Sequence, residues 1–338
     1  MQAPTPNFSH LLAMTGPYGI FEHADHTLAR LEHGYCVDDV ARVLLVVSRE
    51  SDGSNELAEL AELSLNFLAA SQGPDGRCRN RRSSTGEWFG PSTNDDCWGR
   101  SLWALGTVMA RSTSEDMRRR ASRLFERGCA TRSTWPRAMA FASLGAAEIL
   151  GIDPDNRYAW GIINSAIQIL DRPVVDRSWR WPEERLTYAN AVLPEALLAA
   201  GSLSGSGRLV EAALDQLKWL LAMESSEGHL SVTPDGGRGP DDPIRRFDQQ
   251  PIEVAAMADA CDRALLVTND PAWAVGIHRA IGWFLGENDL GAVMFDAASG
   301  GGYDGLTESG PNLNEGAEST VALLSTLQHA RRFEGASL

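Results

Sequence analysis

The chain of 338 residues is short of several features that would classify it quickly. No uncharged apolar run reaches the roughly 18 residues a membrane span needs. The opening stretch, Met1 to Gly19, has neither a basic start nor a long apolar core, so no secretory leader is expected. Cysteine is sparse: five residues, at 36, 78, 97, 129 and 261, an odd count with no Cys-x-x-Cys pair. That speaks against a disulfide framework and a zinc site and suits a reducing, cytoplasmic setting. A basic surface is missing too. Lys and Arg number 30 against 45 Asp and Glu, a net charge of −15, the wrong sign for a nucleic-acid binder that must displace counterions. Alternating β-branched runs are nearly absent, which argues against a sheet protein.

What remains is helical. With 43% hydrophobic residues a large core can form, and the helical segments fall into two kinds. One kind is apolar nearly all round and rich in small residues: 41–47, 101–110, 138–150, 191–201, 254–261 and 319–327. The other is amphipathic: 56–70, 115–128, 157–170, 207–223 and 271–286. A helix apolar on every side must be buried on every side, and a one-sided helix must lie at the surface. Alternation of the two predicts an inner ring wrapped by an outer one, an all-α, (α/α)6 toroid of a single domain over 1–338. The short 7–14 segment either supplies the sixth outer helix or leaves the ring incomplete. An open solenoid is the rival, but polar junctions near 38, 95, 137, 190, 248 and 314 are spaced too widely and irregularly for its roughly 34- or 40–47-residue periods. Gly/Pro/Asp-rich stretches at 71–92, 228–245 and 287–313 read as long rim loops, the usual place for a site.

Every junction before an inner helix is polar: Tyr35 to Arg42 with Asp38 and Asp39; Asn94 to Arg100 with Asp95 and Asp96; Trp135 and Arg137; Tyr188 and Asn190 with Glu195; Asp248, Gln249, Gln250 and Glu253; Asn314, Glu315 and Glu318. Parallel inner helices would bring these starts to one mouth. Capping explains part of this, since Asp and Asn are favoured N-caps and acids suit a first turn. Yet one cap suffices, and two of the junctions carry doubled Asp. Glu253, Glu315 and Glu318 also sit in otherwise apolar helices, where a carboxylate is costly unless paired or functional. Neighbours on a helix point about 100° apart, so one Asp of each doublet should face the cavity while the other caps. Arg42 can pair with either Asp38 or Asp39, and Arg100 with Asp96. Glu315 and Glu318 share a face, as do Gln250 and Glu253.

Two carboxyl groups across a cleft are the machinery of glycoside hydrolysis, one protonating the leaving oxygen and the other activating water or attacking. Asp38, Asp39, Asp95, Asp96, Glu315 and Glu318 are therefore the catalytic candidates. His33, Arg42, Arg137, Asn190, Asp248, Gln249, Gln250, Glu253 and Asn314 would hold sugar hydroxyls or a uronate. Trp88, Trp98, Trp135, Trp179, Trp181, Tyr188 and Tyr303 offer flat faces for sugar rings, with core packing as the alternative, and Tyr35 is a further substrate contact. His23, Asp25, His26 and His33 show no familiar zinc spacing, so no metal and no cofactor is expected. A sugar epimerase would need a His pair across the cleft, which no inner-helix start provides.

The segments HGYCVDDVARVLLV (33–46), DGRCRNRR (75–82), NDDCWGRSLWALG (94–106), FDQQPIEVAAMADAC (247–261) and NEGAESTVALL (314–324) resemble a group of bacterial helical-toroid proteins, standalone or fused to family 4 glycosyltransferases and described as glycosidase-related. The resemblance covers nearly the whole chain. It implies the toroid fold, a role in bacterial polysaccharide or glycoconjugate metabolism, and a glycosyltransferase as partner. Where that group has Thr-Asp-Asp-Asn, this chain has Val37-Asp38-Asp39-Val40, without a polar partner on either side of the doublet. A looser likeness links the Asp38/Asp39 and Asp95/Asp96 positions to the unsaturated glucuronyl hydrolases, which use Asp from two successive inner-helix starts. The expectation is a glycoside hydrolase acting on an oligosaccharide or polysaccharide fragment, with a non-catalytic sugar-binding toroid as the other reading.

Overall fold

A computed structural model describes residues 3–50, 54–173 and 178–336. Among the described residues, twelve α-helices follow one another as outer–inner pairs. The outer α1 (Ser9–Ala13) precedes the inner α2 (Val37–Ser48); α3 (Asn55–Ser71) precedes α4 (Asp96–Arg111); α5 (Glu115–Gly128) precedes α6 (Pro136–Leu150). The remaining pairs are α7 (Arg157–Leu170) with α8 (Val192–Leu203), α9 (Gly207–Met223) with α10 (Pro251–Thr268), and α11 (Ala274–Phe284) with α12 (Ala317–Ala336). Each inner helix packs on its inner neighbours, and α12 returns to α2. The ring is closed. The 7–14 segment supplies the sixth outer helix, α1, which packs on α12 and α3.

The two helix types begin differently. Four outer helices carry a side-chain cap: Ser54 accepts from Leu57 N, Ser114 from Met117 N, Asn156 from Ala159 N and Ser206 from Leu209 N. The inner helices α2, α4, α6, α8 and α10 have Cys36, Asp95, Trp135, Ala191 and Gln250 at their cap positions, none with a side-chain cap bond. Their first-turn amides keep the positive end of each dipole open at the mouth, where acidic side chains are favoured. Capping therefore does not account for the acids there.

Small residues allow the inner ring to be tight. A Cβ on Gly145 of α6 would lie 2.2 Å from the Leu102 carbonyl oxygen of α4, and one on Gly106 2.1 Å from the Gly145 carbonyl oxygen. Only glycine fits where two backbones touch. The rim stretches hold more order than loops. Cys78–Arg82 and Trp88–Thr93 form an antiparallel hairpin that Tyr35–Cys36 extends to three strands, and Gly305–Thr307 pairs with Gly310–Asn312. The strand signal was missed because these strands are short and half-exposed, with no apolar alternation. No helix among the described residues is long and apolar enough to cross a membrane.

Candidate active site

The inner-helix starts converge on a polar cleft of about 500 Å³. Its wall combines Asp38, Asp39 and Arg42 of α2, Asp96 and Arg100 of α4, Tyr188 before α8, Gln250 and Ile252 at the start of α10, and Glu318 and Ser319 of α12. Glu22, His23, Arg81 and Asp304 join them from the connecting segments.

Asp38 is held at the front. Asn80 Nδ2 donates to its Oδ2 at 2.9 Å and the Cys36 thiol donates at 3.5 Å. Its Oδ1 lies 3.5 Å from Arg100 Nε and accepts no hydrogen bond. The guanidinium of Arg100 is fixed in turn over the Phe141 ring, 4.0 Å from its centroid. These contacts replace the polar flanks that Val37 and Val40, both fully buried, cannot give. Asp39 lies deeper. Burial pushes its carboxyl up to about 7 while Arg42 pulls the other way, donating to Oδ1 at 2.5 Å. Arg42 also donates to Glu318 Oε2 at 2.5 Å. Burial works to raise the Glu318 carboxyl, but Arg42 outweighs it and holds the group below its ordinary range.

Asp96 has another environment. Burial raises its carboxyl, against the pull of Arg100 and of the Tyr188 hydroxyl, which donates to Oδ2 at 2.7 Å. Asp304 is also raised by burial; its Oδ1 accepts from Gly316 N at 2.8 Å and Ser319 Oγ at 2.9 Å, tying its loop to the start of α12.

Several expectations need correction. Both Asp38 and Asp39 line the cleft, and neither caps, because α2 begins at Val37 and both fall within its first turn. Asp95 holds the cap position of α4 but bonds no amide, and it borders a neighbouring compartment. Of the two partners open to it Arg42 takes Asp39, as the spacing allows, whereas Arg100, expected beside Asp96, contacts Asp38 across the helices. Glu315 is turned away: α12 begins only at Ala317, so its helical relation to Glu318 does not exist. Its carboxylate lies 3.4 Å from His10 and accepts from Ser299 Oγ at 2.7 Å.

Other candidates serve the frame. Tyr35 is fully buried and stacks on Phe21, with centroids 4.5 Å apart. Trp98 is buried and donates to the Gly128 carbonyl, Trp181 is buried against Trp219, and Trp88 packs on Phe67. Gln249 is buried and spent on Trp283, Asp289 and the Arg246 carbonyl. Glu253 accepts from Ala189 N and from both the backbone and side-chain nitrogens of Asn190. Arg137 binds Glu183, Asn190 Oδ1 and the Tyr188 carbonyl, so it and Asn190 position Tyr188 and are not free for a sugar. His33 leans on His23, the ring nitrogens 2.9 Å apart; Asn314 accepts from His26 N; Asp248 and Tyr303 do not reach the cleft wall. One imidazole, that of His23, lines the cleft, with no second histidine across it among the described residues.

No protein-family model and no curated protein matches the chain. Solved structures do. It is similar to a sugar epimerase from a ruminal bacterium, with a TM-score of 0.73 and 13% identity over 96% of this chain and 95% of that one. It is also similar to the cellobiose 2-epimerase of Spirochaeta thermophila, with a TM-score of 0.67 and 12% identity over 97% and 93%. A third is an α-mannanase of Bacteroides thetaiotaomicron, with a TM-score of 0.64 and 10% identity over 97% and 95%. The chain is a single-domain (α/α)6 toroid.

Of the residues this toroid brings to its cleft, Glu22, His23, Arg81 and Asp304 were not read as site residues. Arg81 ion-pairs with Glu22, and the pair reaches the mouth because Arg81 registers opposite Cys36 in the small sheet. Asp304 lies in the glycine run 300–305, where a Cβ on Gly301 would collide with the Glu315 carboxylate. An Asp beside Tyr303 in an otherwise glycine turn was the one available signal. Glu22, Cys36 and Asp39 bring possible metal-ligand atoms within 4.8 Å of one another. Glu22 and Asp39 are already met by Arg81 and Arg42, and burial pushes the Cys36 thiol well up, so the trio is satisfied without an ion.

Four buried carboxyls give the toroid a pH signature. Burial raises Asp39 to about 7 and raises Glu195, Glu224 and Glu253 above their ordinary range. Between the unfolded carboxylate pKa near 4.5 and these raised values the folded state holds protons that the unfolded chain has released, so stability falls as pH rises. Each group contributes at most about 1.4 kcal/mol per pH unit. His329, raised by Asp259 and Asp262 against the effect of burial, adds in the same direction. The melting temperature should drop steadily from pH 5.5 to 8; a rise across that interval would show these carboxyls already ionised in the folded protein.

Proposed function

We propose that the toroid is a glycoside hydrolase acting on a neutral oligosaccharide, with Asp96 as general acid and Asp38 as the base that activates water. The observation that carries this reading is one cleft in which carboxylates from two successive inner helices stand in unlike environments: Asp96 half-buried with its carboxyl raised, Asp38 beside Arg100 with one oxygen accepting no hydrogen bond. Environments that separate two carboxyls in this way support acid and base roles. Asp96 would give its proton to the glycosidic oxygen as the C–O bond breaks. Water would form the new bond to the anomeric carbon and yield a proton to Asp38. Proton exchange with solvent then returns both groups to their starting states.

The neutral substrate follows from charge. Arg42 is taken up by Asp39 and Glu318, Arg81 by Glu22, and Arg100 lies against Asp38. With every cleft guanidinium already matched by a carboxylate, none is left to pair with a uronate. The similarity in fold to sugar epimerases and an α-mannanase supports a carbohydrate as substrate. A single cleft imidazole favours carboxylate chemistry over a histidine-pair epimerase.

Incubation with neutral and uronate-containing oligosaccharides, scored for new reducing ends, tests the reading. Release from a neutral sugar is expected; binding without release across the whole panel would replace it with the sugar-binding toroid. The acid role has its own signature. Asp96 must be protonated to act, so activity declines as pH rises through its raised pKa. The Tyr188 hydrogen bond lowers that pKa. Tyr188→Phe should therefore move the alkaline limb to higher pH, and a limb that moves down or stays fixed would assign the proton elsewhere.

A further inference from the structure

Beside the cleft, and sharing Asp96 and Tyr188 with it, lies a second compartment of about 670 Å³, open to solvent and walled by Trp135, Pro136, Glu183 and Thr187. We infer that this compartment is a sugar subsite, holding the leaving-group residue of the substrate with the Trp135 indole as its stacking face. The inference rests on the hydrolase reading and extends it to an oligosaccharide that spans both compartments, with the scissile bond at Asp96.

Three observations carry it. The first is the exposure of Trp135, 60%, whereas Trp98, Trp103, Trp179, Trp181 and Trp283 are all buried. Its indole is not among the side chains packed on the core. A bare tryptophan at a pocket mouth is a binding face more readily than a packing element.

The second is rigidity. Trp135 occupies the cap position of α6, followed by Pro136 at the first helical position, and its N–H donates to Ser133 Oγ at 3.1 Å. With the backbone already fixed at the helix start, only the two side-chain rotations of the indole are left to order on binding.

The third is the shared wall. Tyr188 stands between the compartments, 43% exposed as a residue and with its hydroxyl on Asp96. Arg137 braces it, 4.9 Å from the ring centroid, and neutralises Glu183. The acid thus sits where the chain passes from one compartment to the other. With Asp38 and its water on the cleft side, the residue protonated off by Asp96 leaves on the Trp135 side.

The test compares disaccharides or longer neutral oligosaccharides with the matching glycosyl fluorides, which have no leaving-group ring. In Trp135→Ala the ratio of kcat/KM for oligosaccharide to that for fluoride should fall about tenfold, mainly through KM, and Trp135→Tyr should restore most of it. An equal effect on both substrates, or none on either, would overturn the subsite while leaving the hydrolase reading intact. Should the wild type turn over neither kind, the hydrolase reading fails, and calorimetric titration with the same oligosaccharides decides the compartment alone. Weaker binding by Trp135→Ala then supports a sugar site there, and unchanged binding removes it.

Discussion

Asp96→Asn should lower turnover of a neutral oligosaccharide by about 10²–10⁴-fold, the range that a positioned general acid contributes. Asparagine keeps the shape and can still accept from the Tyr188 hydroxyl, so the far-ultraviolet circular dichroism spectrum should not change. What it loses is an ionisable proton on a carboxyl whose pKa burial raises against the pull of Arg100 and Tyr188. The deficit should shrink on a glycosyl fluoride, whose leaving group needs little protonation. Equal loss on fluoride and oligosaccharide would point instead to a role in attack on the sugar. A variant as active as the wild type would remove Asp96 from the mechanism altogether.

The second large effect lies outside the cleft, at Glu253→Ala. The carboxylate accepts from two backbone N–H groups and a side-chain amide ahead of α8, all buried. Ala189 is held there at φ 44°, a left-handed conformation that costs a non-glycine residue about 1 kcal/mol or more. Alanine would leave three donors without an acceptor, each costing roughly 1–3 kcal/mol, and would release the strained turn. We expect a loss of about 3–5 kcal/mol and a melting temperature lower by roughly 5–10 °C. Because that turn also places Tyr188, activity per folded molecule should fall as well. Full stability in this variant would mean that the turn is fixed by the Arg137 contacts alone.

The inner-helix acids were visible in the sequence, but their directions were not. Gln249 and Gln250 are adjacent; one is buried beneath Trp283 and the other lines the cleft. Glu315 read as a partner of Glu318 from their three-residue spacing on one helix, but α12 begins only at Ala317, and Glu315, outside it, turns toward His10. Aromatics misled for a related reason: the same indole that can stack on a sugar can fill a wide ring, and Trp98 and Trp181 do the latter. Glu22, Arg81 and Asp304 gave almost no signal, since nothing local distinguishes a loop residue that a small hairpin carries over the mouth.

Periodicity and composition alone determined the alternation of inner and outer helices and the acids at the inner-helix starts, while closure of the ring at the 7–14 segment was decided by packing. The alternation depends on which faces are apolar, and that is written residue by residue. Only the tertiary structure decided which acid is raised, which guanidinium is already taken, and where a bare indole stands beside the acid. These depend on burial and on distances between groups far apart in the chain, and no local pattern encodes either.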